Sequence, residues 1–487
     1  MFSKSTLLMV ALISALGGVA SCNLVFESGP PLVDVWFVTD EIRNDADGVP
    51  LMQRLVTDLA GWQIDYAVDG GPSLPANIDL RTGHVWFERA DASLPYAVTV
   101  RAPGNIPLIF HGVAARHYEA TTHYGRLDAE AQTVARQITL PMSPTNTSIT
   151  VASTGTYASL NSATCGPQCD WQLATPFEEP RLPDAAFGDR VYGLLLSIVD
   201  DKSVVTATSV QSWQLSRQPE ILLAPTPSTD LQTFSTPPSL APLCGLLMGL
   251  APQQLARLTA WQILAVPMPQ DSDGREIVMP PKGHALVRFP EIPEVVTFCV
   301  DSTVDSVAFA NPILGTIPVM HTSAGVLYGF TTTGAKKDLA HLAYLGSGIE
   351  IYTRADGAAF PVLLDGALPR NITVNGTTAV PEEVRVVPNA DVQLAWTKSS
   401  SERVDDWVVR VRRLYTDGAQ FSKSEIVATL RTLATSITIP IGLLPPGDYV
   451  VSIEARLGYP GAATQDYRRR SYPFWSADAL AARIVIE

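Results

Sequence analysis

The chain has 487 residues, too many for one ordinary core, so several domains are expected. Hydrophobic residues make up 46% and charged residues only 17%, with 38 Pro and 33 Gly set among short apolar alternations, a pattern that favours β-sandwiches joined by turns over helical bundles. A net charge of −14 argues against nucleic acid and against a broad electrostatic grip on anionic lipid.

Residues 1–21 divide like an export signal. Met1 and Lys4 supply a short positive start, and Leu7 to Leu16 form an apolar run far below the ~20 residues that a permanent spanning helix needs. Gly17 and Gly18 then loosen the chain before Val19-Ala20-Ser21-Cys22. This stretch resembles the lipobox of bacterial lipoproteins: an aliphatic residue, a small residue, then Gly, Ala or Ser, then Cys. The resemblance implies cleavage after Ser21 and diacylglyceryl on the Cys22 thiol. Asn23 in the next position resembles an outer-membrane rather than an inner-membrane address. Removal of the signal with its Lys4 takes the charge from −14 to −15. Lipid, with ~0.8 kcal/mol for each buried methylene, and not a basic face, is therefore expected to hold the chain to a membrane.

Residues 22–33 read as a tether containing Gly29-Pro30-Pro31, and 34–150 as a β-rich domain. Its strands include His84-Val85-Trp86-Phe87, Ala97-Val98-Thr99-Val100 and Pro107-Leu108-Ile109-Phe110. A second β-rich region, 151–223, holds the apolar run Val191 to Val199, and 224–242 is a Pro/Ser/Thr-rich linker or loop. Residues 243–369 are expected to form a β-rich domain with one short helical segment near 243–264, from the spacing of Leu255, Leu258 and Trp261.

With Cys22 assigned to lipid, four cysteines remain: Cys165, Cys169, Cys244 and Cys299. An even number suits an oxidising compartment and allows three connectivities, of which Cys165–Cys169 with Cys244–Cys299 is favoured. A metal or redox reading of Cys165 and Cys169 lacks the two-residue gap of thioredoxin-like motifs.

Residues 370–487 are the most legible. Val392 to Thr397 alternates so that Leu394 and Trp396 oppose Gln393, and Trp407, Val409 and Val411 share a face away from Arg410 and Arg412. Leu443-Leu444-Pro445-Pro446-Gly447-Asp448-Tyr449 then leads into Val451 and Ile453. The segment resembles a fibronectin type III domain of the immunoglobulin-like class, with Tyr449 in the place of the corner tyrosine whose hydroxyl ties back to nearby backbone.

Chemistry is sparse. His111, His117 and His123 recur every six residues with Glu119 between the last two, but six extended residues span about 20 Å, too far for one ion. Asn44-Asp45-Ala46-Asp47-Gly48 fails as a calcium loop because Arg43 and Arg54 occupy the end positions. In Gly329 to Lys336, Ala335 breaks the phosphate-loop pattern. Arg410, Arg412, Arg413 and Arg468-Arg469-Arg470 concentrate positive charge; ring stacking on Trp407 or Trp475 and pairing with acids is the plain reading, an anionic-glycan patch the sharper one.

The expected protein is thus a mainly-β, tandem-sandwich, lipid-anchored envelope protein that binds or supports, with no cofactor, resident metal or nucleic-acid partner and no supported active site. Its partner is the membrane, with an envelope protein or glycan as a second. The competing readings are a polysaccharide hydrolase whose carboxylates the sequence does not single out, and an accessory lipoprotein of an outer-membrane complex.

Overall fold

A computed structural model describes residues 30–44, 50–124, 128, 328–338, 341–354, 369–381, 383–398, 403–440, 442–471 and 474–487, together with the backbone of the strands between 136 and 327. Strands dominate; the described residues include a 3-10 turn at Ala462–Thr464. The chain is mainly β, as its alternations and turns predict.

The N-terminal sandwich uses nine strands: β1 (Leu32–Asn44), β2 (Pro50–Val56), β3 (Gln63–Val68), β4 (Leu74–Pro75), β5 (Asn77–Asp79), β6 (His84–Glu88), β7 (Tyr96–Arg101), β8 (Leu108–Gly112) and β9 (Arg116–Tyr124). β1 organises one sheet: β9 runs parallel along one edge, while β6 and β2 share the other. β3, β4, β7 and β8 form the facing layer. Odd positions of β1 and β6 point between the layers, so Val33, Val35, Phe37, Val85 and Phe87 meet Ile64, Val98, Val100 and Phe110 in one core. At ~25 cal/mol per Å² of apolar surface, each such side chain contributes roughly 1.5–3 kcal/mol.

The C-terminal part adds β10 (Thr316–Phe330), β11 (Ala343–Arg354), β12 (Arg370–Val374), β13 (Val384–Val387), β14 (Val392–Thr397), β15 (Asp406–Thr416), β16 (Ser422–Thr432), β17 (Ser436–Ile439), β18 (Gly447–Leu457) and β19 (Phe474–Ile486). β12, β14 and β17 make one sheet, and β16, β15, β18 and β19 the other. Trp396 of β14 meets Trp407 of β15 edge to face at 5.4 Å, and both are buried. The Tyr449 hydroxyl donates to Pro445 O at 2.5 Å, closing the expected tyrosine corner. This is a two-sheet β-sandwich with a fibronectin type III-like strand order and corner.

Two connections cross the expected boundaries. β19 shares its free edge between β11, antiparallel over Gly348–Tyr352, and β13, parallel over Val384–Val387, so strands before residue 370 continue the C-terminal sheet. β8 lies parallel to β16, with Thr429, Leu430 and Arg431 opposite Leu108, Ile109 and Phe110, which joins the first sandwich to the last.

The helical segment expected near 243–264 is corrected where the structure describes it. Ala256–Pro269 is a strand paired nearly residue for residue with Thr316–Phe330. Trp261, Ile263 and Ala265 alternate at period two, and a long ladder to β10 outweighs the three-residue spacing of Leu255, Leu258 and Trp261. Residues 243–255 lie outside the described residues.

Candidate functional site

Among the described residues, a dense polar cluster lies where the two sandwiches meet. β9 alternates, so His117 and Glu119 point inward while Arg116 and Tyr118 face out. The Glu119 carboxylate takes a hydrogen bond from His117 Nε2 at 2.7 Å and another from Arg431 Nη1 at 2.8 Å. Arg431 Nε also donates to Asp406 at 2.6 Å, and Arg456 clamps the same carboxylate through Nη2 at 2.5 Å and Nε at 3.1 Å. Arg431 Nη2 has no hydrogen-bond partner, and the guanidinium lies 3.2 Å from the Tyr467 ring centroid, a cation–π contact that occupies its open face.

Gln465, in the left-handed region at φ 56°, completes the cluster. Its side-chain oxygen accepts from the Val113 and Ala114 amides at 3.0 and 2.8 Å. Its amide nitrogen donates to His111 O at 3.2 Å and to His117 Nδ1 at 3.3 Å. That network assigns His117 a neutral ring protonated at Nε2, stacked 3.8 Å from Phe110.

Burial lowers the His117 pKa, against the pull of Glu119. Burial would raise the Glu119 carboxyl, but Arg431 and the His117 hydrogen bond outweigh it and hold the group at about 2. Arg456 and Arg431 do the same for Asp406, whose pKa is lowered despite burial. Two guanidiniums balance two carboxylates with their charges committed to one another. Such a cluster fixes the geometry of the junction between the two sandwiches.

A second charged pair lies on β18 and β19. Glu454 and Asp478 stand opposite each other, with Arg410 Nη2 2.5 Å from Glu454. Asp478 is pushed up to about 6, first by burial and then by Glu454, with Arg410 opposing; its Oδ1 is buried without a hydrogen-bond partner.

The third feature is the outward face of β1, β5, β6 and β9. Trp36 stacks on His84 at 4.3 Å and 16°, and Trp86 stacks on it at 5.0 Å and 23°. Strand register sets Tyr118, Trp36, His84 and Asp79 in one row, and Arg116, Asp34, Trp86 and Asn77 in the next. Asp34 accepts from His84 Nε2 at 2.8 Å and lies 3.9 Å from Arg116. Arg468, paired with Asp466, lies 3.8 Å from the Tyr118 ring centroid.

The residues singled out in the sequence are dispersed. His117 enters the buried cluster, His111 contributes its carbonyl, and His123 is described as backbone at the end of β9. Among the described residues no group of three or more His, Cys, Asp or Glu is placed to hold a metal. Asp40 pairs with Arg54 across β1 and β2, and residues 45–49 lie outside the described residues. Near Lys336, the Thr332 amide donates to Ser422 Oγ and the Lys336 amide to Gln420 O, which ties that turn to the β15–β16 hairpin.

The arginines find acids and tyrosines rather than Trp407 or Trp475: Arg410 pairs with Glu454, Arg468 with Asp466, and Arg470 Nε donates to the Tyr459 hydroxyl at 2.8 Å. Arg412 is half-buried, with its pKa lowered by that burial, and Arg413 and Arg469 are exposed. Cys22, Cys165, Cys244 and Cys299 lie outside the described residues, and Cys169 is described as backbone in the strand Gln168–Trp171. Asp406 and Arg431, on strands, and Gln465, in the turn after Ala462–Thr464, escape sequence reading, because a buried polar residue gains its meaning only from a distant partner.

No family model matches the chain, and no curated protein does. Among solved structures, the FN1–FN3 domains of chicken CNTN1 are 8% identical, with 92% of this chain and 99% of that one covered and a TM-score of 0.13. The native conformation of E. coli alpha-2-macroglobulin is 11% identical, with 93% of this chain and 28% of that one covered and a TM-score of 0.13. Likenesses at that score carry no argument, and the sandwich assignment rests on strand order, the buried tryptophans and the tyrosine corner.

Proposed function

We propose that the chain is a lipid-anchored cell-envelope protein, held to the outer membrane through Cys22, that serves as a binding or structural body rather than an enzyme. The observation that carries this reading is the clasp: the first sandwich is locked to the last by buried, mutually neutralised charges, an arrangement suited to a stiff body presenting its outer faces. The lipobox-like Val19-Ala20-Ser21-Cys22 and the short tether before β1 at Leu32 support the anchor. Disulfides Cys165–Cys169 and Cys244–Cys299 fit the same oxidising setting. The test is intact mass and membrane fractionation of the protein against Cys22→Ala. A mature form beginning at acylated Cys22, lost from membranes in the variant, supports the reading. An unmodified soluble form beginning elsewhere overturns it.

A further inference from the structure

We propose that the outward face of β1, β5, β6 and β9 is a binding site for an uncharged glycan, seated over Trp36, His84 and Trp86 with Asp34, Asn77 and Arg116 supplying polar contacts. The proposal rests on the reading of the chain as a binding protein and does not depend on the lipid anchor.

The argument begins with the strand pattern. Val33, Val35, Phe37, Val85 and Phe87 satisfy the core from the inward positions of β1 and β6. The sandwich therefore needs no aromatic residue at the outward positions, yet Trp36, His84 and Trp86 occupy them, each half-buried. Their rings are pre-arranged: His84 is stacked by both indoles and pinned through Nε2 to Asp34 at 2.8 Å. Asn77 Nδ2 donates to Trp86 O at 3.3 Å, which fixes the rim on the β5 side. Rings held this way lose little side-chain entropy when a ligand arrives.

The chemistry of the two rows selects the occupant. A row of rings, Tyr118, Trp36 and His84, adjoins a row in which Arg116, Asp34 and Asn77 surround Trp86, with strands about 4.8 Å apart, so a partner must offer apolar C–H surface beside hydroxyl-type donors and acceptors at short range. A pyranose ring has both, one on its faces and one around its edge. A purely apolar protein partner would strand the Asp34 carboxylate and the Asn77 amide on its binding surface, at about 1–3 kcal/mol for each buried unsatisfied group. Charge decides between kinds of glycan. Asp34 lies between His84 and Arg116, Arg468 is neutralised by Asp466, and Asp79 is held ionised by hydrogen bonds from Thr82 and Arg81, so the face offers no excess of positive charge to an acidic sugar. This moves the glycan expectation away from the arginines at 410–413 and 468–470, several of which are engaged with acids and rings.

The test presents the purified full chain to an array of uncharged gluco-, manno- and galacto-oligosaccharides beside uronate-containing and sulfated ones, and follows hits by isothermal titration. At least one uncharged series should bind, and Trp36→Ala and Trp86→Ala should each weaken it tenfold or more. Tyr415→Ala, at an exposed tyrosine of β15, should leave binding unchanged. Asp34→Asn keeps the shape of the face while removing its carboxylate, so a threefold or greater loss in that variant carries the test if an indole deletion lowers the melting temperature. Binding confined to acidic sugars, binding indifferent to Trp36, Trp86 and Asp34, or no binding to any uncharged series overturns the proposal. Cys22 fractionation is read separately, so failure of the anchor and failure of the glycan site are distinguishable.

Discussion

Arg431 Nη1 donates to Glu119 Oε2 at 2.8 Å across 312 residues of chain. The bond couples the last strand of the N-terminal sandwich to the second strand of the β15–β16 hairpin, and Arg431 is only 7% exposed. Truncation to Arg431→Ala leaves Glu119 without its nearest cation and Asp406 with Arg456 alone. The expected cost is about 3–5 kcal/mol of unfolding free energy, because one partner of a buried ion pair is left uncompensated. Urea denaturation of the variant against the parent measures it, and a loss below about 1 kcal/mol would show that the clasp is not a strong cross-link.

Gln465 tests the backbone half of the same junction. Gln465→Ala removes the acceptor for the Val113 and Ala114 amides and should cost about 2 kcal/mol. Gln465→Gly loses the same bonds but tolerates the left-handed φ of 56°, so it should be about 1 kcal/mol less damaging than alanine. Equal losses in the two variants would remove backbone strain from the account.

Acid should weaken the clasp. The Glu119 carboxyl sits at about 2 in the folded protein against an ordinary 4.5, so its contribution is present above the ordinary value and is lost as pH falls toward 2. His117 is lowered from 6.5, so the folded state resists its protonation and stability also declines as pH drops below 6.5. Melting temperature followed from pH 7 to pH 3 should fall more steeply in the parent than in a His117→Gln, Glu119→Gln double variant. Parallel curves would rule out these two groups as the acid-sensitive pair.

Asp478 has the opposite sign. Its folded pKa of about 6 lies above the ordinary 3.8, so the native protein carries a penalty above pH 6 that fades as pH falls toward 3.8. Asp478→Asn removes the charge that Glu454 and burial oppose and should stabilise the protein at pH 8 by up to about 3 kcal/mol. The gain should shrink toward zero at pH 4. A variant less stable than the parent at pH 8 would mean that Arg410 and Arg412 need both carboxylates.

Tyr449→Phe keeps the buried ring and deletes the hydroxyl that donates to Pro445 O. A loss of about 1 kcal/mol, read by thermal or urea unfolding, is expected for the corner hydrogen bond.

What the sequence discloses follows the range of each interaction. The sandwich at 370–487 is legible because Val392, Leu394 and Trp396 declare their face at period two and Tyr449 follows Pro445 at short spacing. The strand at Ala256–Pro269 is not, since Leu255, Leu258 and Trp261 fit one helical face as readily as Trp261, Ile263 and Ala265 fit one strand face; the choice falls to β10, which lies beyond local reach. His117 and Glu119 draw notice for a metal-like spacing, whereas their relation is simpler: two residues apart on one strand, they share a side. Nothing near them in the chain points to Arg431 or Gln465. The Trp36–His84–Trp86 face is concealed in the same way, because Trp36 becomes the neighbour of His84 only when β1 pairs with β6.

The parallel contact between β8 and β16 sets an order on biosynthesis. A chain made from its N-terminus has β8 and β9 in hand long before Arg431, Asp406, Arg456 and Gln465 exist to meet them. Until then the β16-facing edge of β8 lacks its native neighbour, and His117 and Glu119 lack their native cation and amide. Closure of a loop of more than 300 residues is entropically slow, so maturation of the first sandwich waits on the arrival of the last. A ribosome-stalled chain ending before residue 403 should therefore hold its first sandwich loosely, with β8 and β9 open to protease, and the completed chain should protect them.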